Sequence, residues 1–428
     1  MLVDGIPDAT GDWGGAIVAP GVDSVQEFQV IRNAYDARYS RTAGGVINIV
    51  TKGGTQTYHG TAFEYFQSSV LNANDFFNNL NGIAKVPYHR NDFGGNLGGP
   101  IWKKWRLYGF YGAEFMRQTI PQTLITTLPT ALERNGDFSQ SFNSNGSPIL
   151  IFDPATTRAN PSGAGSIRNA FPGDKIPSTQ ISSVASKVFG LLPGPNEPGT
   201  GPAHVNNFAA SQFTKSIFNR YDGRVDWVIS DKDSLFGRFT KAPQDTTPID
   251  VFQKSVDSRT YTHEPRWNVA LGNTWTVNPT TVLTFLVGAG KFTQINNSVG
   301  FGLTGTQLGL PAGLVSQFDV PTPPAFSLSG FYSPANSSVS EAARSMVNYG
   351  VYGSKQFSAH VLQFGWYVNR YYLSLIQTNS ATFNFNRFFT DGPNVVLSGN
   401  VNSGDTLASF LLGTGASGDA PLNAAPTT

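Results

Sequence analysis

The sequence predicts an all-β fold, an antiparallel transmembrane β-barrel, from three observations. Apolar and polar residues alternate with period two over many segments, which is the pattern of strands with two unlike faces. The connections between these segments alternate between short turns and long loops, as in barrels whose turns and loops lie on opposite sides of a membrane. Charged residues make up only 13% of the 428 residues and aromatic residues make up another 13%, whereas soluble domains carry about 25% charged residues.

Ten segments carry the alternating pattern. In chain order they are residues 58–67, 91–101, 106–117, 218–230, 235–240, 266–277, 281–291, 347–355, 360–372 and 381–389. Their apolar faces include Phe93, Leu97 and Ile101 in the second segment, Leu107, Tyr111 and Phe115 in the third, Trp267, Val269, Leu271 and Trp275 in the sixth, Leu283, Phe285 and Val287 in the seventh, and Leu362, Phe364 and Trp366 in the ninth. Each segment is therefore expected to be a strand with one face in lipid.

The clearest predicted strand is 218–230. Its apolar positions are Tyr221, Val225, Trp227 and Ile229, and the charged positions between them are Arg220, Asp222, Arg224 and Asp226. An amphipathic helix would instead group apolar residues at spacings of three and four. The four charged residues are therefore candidates to face the barrel lumen.

The lengths of the connections are the strongest argument for a barrel. Short turns are expected at 103–104, 231–233, 278–279 and near 358–359, and long loops at about 68–90, 118–215, 242–265 and 292–346. Loops longer than about 12–15 residues are uncommon in compact soluble domains. The pattern favours a barrel over an exported soluble β protein. The loop at 118–215 is interpreted either as a lid over the barrel mouth or as ordinary surface loop.

The composition of the chain limits the classes of function that the protein is expected to have. The net charge is +1, from 29 basic and 28 acidic residues, without a basic stripe, so nucleic acid is not an expected partner. The chain has no cysteine, which excludes disulfides and thiolate metal sites. Its five histidines are scattered without ligand spacing, and no nucleophile–base motif occurs. No catalytic residue, metal site or cofactor is therefore predicted, and the chain is not expected to be an enzyme.

Residues 23–52 carry the most specific signal. A strand at 25–31 is followed by Gly44-Gly45, an apolar strand at 46–50 and an exit that reads Thr-Lys-Gly-Gly-Thr. This order resembles the end of the plug domain of TonB-dependent outer-membrane receptors, in particular their Oar-like branch. The residues that carry the resemblance to the plug motif are Gly44, Gly45, Asn48, Thr51 and Lys52.

Further segments resemble landmarks of the same family in the same order. They are residues 71–77, 93–101, 128–130, 134–139, 151–156, 218–226 and 407–413. The resemblance implies that 1–54 is the C-terminal part of a small α/β plug domain and that 55–428 is the N-terminal portion of the barrel. Plugged transporters close with roughly 22 strands, and no signal peptide begins the chain. The chain is thus expected to be a fragment whose barrel is incomplete.

The resemblance also implies a function, TonB-dependent active transport or reception of a ligand at the bacterial outer membrane. The implied partners are TonB, contacted through a segment upstream, the outer-membrane lipid, and an extracellular ligand that is an oligosaccharide, a peptide or a metal chelate. The four charged residues of 218–230 would then pair with the plug or line a substrate path. The alternative is an exported structural or adhesive β protein that binds surface glycans or proteins without transport.

Overall fold

The computed structural model describes residues 1–32, 45–74, 76, 79, 85, 87–248, 252, 259–298, 303–318, 323–334, 338–395 and 403–419. Most of these residues lie in β-strands. They form a small N-terminal sheet, a large sheet of long antiparallel strands that we call the wall, and a third body built from connections between wall strands and from the segment after the last described wall strand. Among the described residues, none of the helices is both long enough and apolar enough to cross a membrane.

The N-terminal sheet has four strands. They are β1 (Leu2–Val3), β2 (Ile6–Pro7), β3 (Val25–Arg32) and β4 (Gly45–Thr51), in the order β2-β1-β4-β3. β1 runs parallel to β4, and the other pairs are antiparallel. Asp4 and Gly5 join β1 to β2 in a turn with positive φ at both residues, 52° and 79°, a conformation that aspartate and glycine tolerate. The strands predicted at 25–31 and 46–50 are confirmed.

The wall contains eleven strands among the described residues. Nine are long or central: β5 (His59–Ser68), β6 (His89–Trp102), β7 (Leu107–Thr126), β10 (Phe208–Ser230), β11 (Asp233–Lys241), β14 (Arg266–Asn278), β15 (Thr281–Ser298), β17 (Ser338–Phe357) and β18 (His360–Asn379). Each pairs antiparallel with the next in this series. Two short strands, β12 (Gln244–Pro248) and β13 (Thr260–Glu264), bridge β10 to β15. The first nine predicted strands are confirmed.

The wall is an open sheet in which β5 and β18 are the edges of the described pairing. Its two faces follow the alternation of the sequence. On β10, Val225 and Trp227 are 42% and 36% exposed, whereas Asp222 between the same neighbouring strands is 6% exposed. The apolar face therefore points away from the protein, and the polar face is covered by the N-terminal sheet.

Several predicted loop boundaries were wrong, because the strands continue into the predicted loops. Residues 118–126 and 208–215 are paired parts of β7 and β10, and residues 292–298 and 338–346 are paired parts of β15 and β17. The loop predicted at 242–265 contains β12 and β13. These extensions are rich in Thr, Ser, Gln and Asn, so they lack the apolar alternation, although the backbone ladder does not require it.

The last predicted strand, at 381–389, was also wrong as a wall strand. It contains only β19 (Thr382–Phe385), which pairs in parallel with β16 (Ala325–Leu328) and antiparallel with β20 (Ser417–Asp419). Phe383 and Phe385 pack beside Phe326 in a separate hydrophobic core. The aromatic alternation that resembled a wall strand therefore serves this second core.

The long connections on the side opposite the short turns fold together with the segment that follows β18. We call this part of the protein the loop domain (described residues 127–207, 303–334, 380–395 and 403–419). It contains the hairpin β8 (Phe152–Ala159) and β9 (Ser166–Ala170), and the helices α1 (Ala131–Arg134), α2 (Ser183–Leu191), α3 (Ala312–Val315) and α4 (Thr406–Leu411). One core draws buried side chains from all of these connections. The six residues of α4 are all buried. The long connection after β7 is therefore packed structure with its own interior.

Asp405 provides a pH-dependent element of the loop domain. Its Oδ1 accepts hydrogen bonds from the backbone N–H groups of Leu407 and Ala408, at 2.7 and 3.2 Å, and so caps α4. Burial, aided by the nearby negative charge of Glu133, raises the pKa of Asp405 to about 7 from its ordinary 3.8. Between these two values the folded state binds a proton that the unfolded state does not.

We therefore expect the loop domain to lose stability as the pH rises through this window, by about 1.4 kcal/mol per pH unit at most. Asp405→Asn keeps an acceptor at the cap and removes the ionisation, so its unfolding midpoint should change little between about pH 5 and about pH 8. Thermal unfolding at both values measures the difference. Asp137→Asn is the control, because hydrogen bonds from Lys175 and Ser139 lower the pKa of Asp137 to about 2. A wild-type midpoint that rises with pH would contradict the assignment.

Candidate functional site

The candidate site is the interface between the N-terminal sheet and the inner face of the wall. Period-two alternation directs one side chain in two of each wall strand toward this interface. Contacts to the N-terminal residues come from β6, β10, β11, β14 and β17. The sheet is therefore held at many points by strands that are distant in sequence.

Asp4 is the centre of this interface. Its carboxylate accepts a hydrogen bond from Arg224 Nη1 at 2.9 Å, and its Oδ2 lies 2.9 Å from Arg238 Nε in an ion pair. Thr51 donates both its backbone N–H and its hydroxyl to the same carboxylate, at 2.9 and 2.8 Å. The Asp4 and Arg238 side chains are only 4% and 3% exposed. A buried carboxylate that is paired with two guanidinium groups is strongly coupled to both of them.

A second buried carboxylate, Asp222, anchors another part of the N-terminal segment. Its Oδ2 accepts hydrogen bonds from the Ser24 hydroxyl at 2.9 Å and from the Gly21 backbone N–H at 3.3 Å. Its Oδ1 accepts from Thr240 Oγ1 at 2.8 Å. Asp222 therefore links β10, β11 and the turn that precedes β3.

The other two charged residues of the predicted face, Arg220 and Asp226, have their ion-pair partners on the wall. Arg220 Nη1 donates to Glu114 Oε2 at 2.7 Å. Arg224 donates from Nη2 to Asp226 at 2.8 Å, and its guanidinium carbon lies 4.6 Å from the centre of the Phe236 ring. The structure therefore brings together all four predicted lumen residues, and two of them, Asp222 and Arg224, bond to the N-terminal segment directly.

The loop between β2 and β3 docks farther from the short turns. Asn268 Nδ2 donates to the Val18 carbonyl at 3.2 Å and to Asp8 Oδ1 at 3.3 Å. Burial raises the pKa of Asp8 to about 6. Arg344 Nε donates to Asp12 Oδ2 at 2.7 Å. These contacts hold the loop farther from the short turns than the contacts of Asp4 do.

The residues of the predicted plug motif occupy different positions. Gly44 lies outside the described residues, and Gly45 opens β4 opposite Arg32. Thr51 belongs to the Asp4 cluster, as described above. The backbone N–H of Lys52 donates to the Ser24 carbonyl at 2.8 Å. Asn48 lies on β4 between β1 and β3, and its Oδ1 is buried with no hydrogen-bond partner in the part of the chain that the structure describes.

Asn48 also lines a cavity of about 610 Å³ between the N-terminal sheet and the wall. Other lining residues are Thr10 from the N-terminal segment and, from β17 and β18, Tyr352, Tyr367, Asn369 and Tyr371. Thr10 Oγ1 and Asn369 Oδ1, like Asn48 Oδ1, are buried and have no hydrogen-bond partner among the described residues. Among the described lining residues, Asp4 is the only carboxylate, and it is already paired with two arginines. The described lining thus combines polar and aromatic groups with aliphatic ones, such as Leu2, Val46 and Leu286, and has little net charge.

Sequence reasoning missed several residues of the interface. Arg238, Asn268, Asn348 and Arg344 all bond to the N-terminal segment but were not singled out. A signal was available for Asn268 and Asn348, because each stands between two apolar residues of a predicted strand. Arg238 follows Gly237 and precedes Phe239, which is 48% exposed. Asp4 could not be found this way, since its partners are about 220 residues distant in sequence.

Known proteins resemble most of the chain. A family model described as the outer membrane beta barrel domain matches residues 50–428. The chain is 30% identical over 129 residues to the TonB-dependent transporter Oar of Myxococcus xanthus, an alignment that covers 29% of this chain and 12% of Oar. The expected resemblance to the Oar-like branch is thereby confirmed.

Solved structures that resemble the chain include two proteins of outer membranes. The outer membrane transporter YddB of Escherichia coli matches 90% of this chain and 42% of its own, with 10% identity and a TM-score of 0.48. The ferric enterobactin receptor PfeA of Pseudomonas aeruginosa matches 94% of this chain and 56% of its own, with 12% identity and a TM-score of 0.36. The chain therefore spans little more than half the length of these relatives at most.

Proposed function

Because the chain belongs to the family of outer membrane beta barrel domains, we propose that it is part of a TonB-dependent transporter for an extracellular ligand. The protein lies in the bacterial outer membrane. The proteins that it resembles are named as transporters or receptors, and Oar is named as TonB-dependent. In this proposal TonB is the energy-coupling partner and the outer-membrane lipid surrounds the wall.

The observation that carries the proposal is the docking of the N-terminal sheet on the polar face of the wall. We assign residues 1–54 to the C-terminal part of a plug and residues 55–428 to part of the barrel. Asp4 and Asp222 supply the strongest contacts between the two parts. A structural or adhesive β protein would have no need for a sheet held inside the wall by buried ion pairs, which cost desolvation energy to form.

The cavity beside Asn48 and Asn369 is the proposed place for the ligand on its way past the plug. Its volume of about 610 Å³ is within the range of small-molecule sites, about 300–1,000 Å³. Tyrosine rings and amide groups bind hydroxyl-rich or amide-rich solutes through stacking and hydrogen bonds. The nearly neutral lining favours an oligosaccharide or a peptide over an anionic metal chelate.

Depletion of ligands from the medium tests the proposal. Cells that carry the protein, cells that lack it and cells that lack TonB would be incubated with neutral oligosaccharides, peptides and ferric chelates. We expect the first cells alone to deplete one neutral class. Asn369→Leu, which makes the cavity lining apolar, should slow this depletion several-fold, while Gln363→Leu on the same strand, outside the cavity lining, should not. Equal depletion without TonB would contradict TonB-dependent transport.

A further inference from the structure

A groove lies on the outward, apolar face of the wall. It has a volume of about 730 Å³ and is lined by outward side chains of five strands, among them Leu97, Ile101, Tyr111, Val225, Phe239 and Leu271. All six side chains are between 42% and 59% exposed. The groove is therefore an indentation in the surface that faces the membrane hydrocarbon, and it does not depend on the transport proposed above.

The floor of the groove is open at Gly223. A Cβ atom built on Gly223 would meet only the Phe239 carbonyl oxygen, at 3.9 Å. The neighbouring outward residues on β7 and β11 are Tyr111 and Phe239, which rise on either side. The position above Gly223 between these two side chains is consequently unoccupied by side-chain atoms of other strands within 4 Å.

A basic and aromatic turn lies at one end of the groove. Ile101, which lines the groove, is followed by Trp102 and by the 3₁₀ turn Lys103–Trp105 that joins β6 to β7. The rings of Trp102 and Trp105 stack at 5.3 Å between centroids, and both are more than half exposed. Lys103 and Lys104 are exposed, and within the described part of the chain neither forms an ion pair.

We propose that the groove binds an anionic phospholipid, with an acyl chain between Tyr111 and Phe239 and the phosphate on Lys103 and Lys104. Short turns of outer-membrane barrels lie on the periplasmic side, so this turn meets the lipid headgroups of that leaflet. Stacked tryptophans belong at the same level, because their rings are apolar and their N–H groups are polar. A phospholipid fits because it carries a long apolar acyl chain and, at one end of it, a negatively charged phosphate.

The alternative occupant, a second copy of the chain, is less suited to this surface. Another protein would have to bring both an apolar ridge and a negative charge to the edge of the membrane. The carboxylates beside the short turns of the described wall are already engaged, since Asp231 pairs with Arg106 at 2.7 Å and Asp233 accepts a hydrogen bond from Asn273 Nδ2 at 2.6 Å. Charge complementarity therefore selects the lipid.

Native mass spectrometry of the protein purified from outer membranes tests the proposal. The probes are dioleoylphosphatidylglycerol, which is anionic, and dioleoylphosphatidylcholine, which has no net charge. Each lysine near a headgroup should contribute about fivefold in affinity, so we expect a preference of about 25-fold for the anionic lipid. Replacement of both Lys103 and Lys104 by Ala should abolish the preference and leave phosphatidylcholine binding unchanged.

Two further variants test the groove and the charge separately. Gly223→Leu fills the space between the rings and should weaken binding of both lipids about tenfold, since several methylene groups lose their contact. Gly223→Ala gives a smaller loss and keeps the test valid if the leucine variant does not fold. Lys232→Ala is the matched control, because Lys232 lies in the neighbouring short turn between Asp231 and Asp233. Equal affinity for both lipids, or unchanged binding in the Gly223 variants, would overturn the proposal.

Discussion

Asp4→Asn is expected to destabilise the docking of the N-terminal sheet by about 3–5 kcal/mol, the usual consequence of breaking a buried ion pair from one side. The substitution leaves Arg224 and Arg238 without their shared countercharge. Asparagine tolerates the positive φ of this position and still accepts the hydrogen bond from the Thr51 backbone. The loss would therefore report the charge interaction and not the shape of the turn.

Urea unfolding in lipid vesicles, followed by tryptophan fluorescence, measures this change in the free energy of unfolding. Asp12→Asn is the matched control. Asp12 pairs with Arg344 at 2.7 Å, and its side chain is 29% exposed, so the loss of this ion pair should cost at most about 1 kcal/mol. Similar effects of the two substitutions would show that Asp4 is not the main anchor.

The fold of the wall could be predicted from the sequence because its physical cause is local. Residues of β10 such as Val225 and Asp226 alternate between hydrocarbon and a polar interior, and this alternation is visible in the sequence. The polar extensions of β7 and β15 could not be found, because the same pairing continues where neither face meets lipid. Only the partner strand, which lies elsewhere in the chain, determines where such an extension ends.

The candidate site between the N-terminal sheet and the wall was predictable only in part, because its pairing depends on tertiary contacts. Arg220, Asp222, Arg224 and Asp226 stood out as a charged face, but the sequence left open whether they pair with the plug or line a path. Asp222 bonds to Ser24, whereas Arg220 bonds to Glu114 on the adjacent strand. This difference depends on tertiary distances. Asp4 was invisible as an anchor, because an Asp-Gly pair after a short apolar run is the ordinary sequence of a turn.

The loop domain was the feature least accessible from sequence. The connection at 118–215 was predicted as a loop because it is rich in Gly, Pro and Asn. Its buried aromatic residues, among them Phe138, Phe171 and Phe189, belong to the same hydrophobic core as residues of the later segments of the loop domain. Such residues have no periodicity, because each is directed inward by an irregular backbone. Their role in a shared core becomes visible only in the folded structure, where the three segments pack together.

Phe410→Ala is expected to destabilise the whole loop domain by about 3–5 kcal/mol, as for other buried aromatic side chains. Phe410 is 2% exposed, and its ring lies 5.4 Å from Phe189, 5.3 Å from Phe326 and 4.9 Å from Phe385. These three neighbours come from three different connections. One cavity at Phe410 should therefore loosen segments that are more than 200 residues apart in sequence.

Limited proteolysis distinguishes a shared core from independent loops. In the Phe410→Ala protein we expect cleavage to accelerate in residues 183–207 as well as near α4, because α2 packs against α4. Phe388→Ala is the control, since Phe388 is 48% exposed in the same domain and its loss should change stability by no more than about 0.5 kcal/mol. Cleavage confined to the α4 segment would mean that the connections fold separately. Cleavage in both would mean that the segments share one core and unfold together.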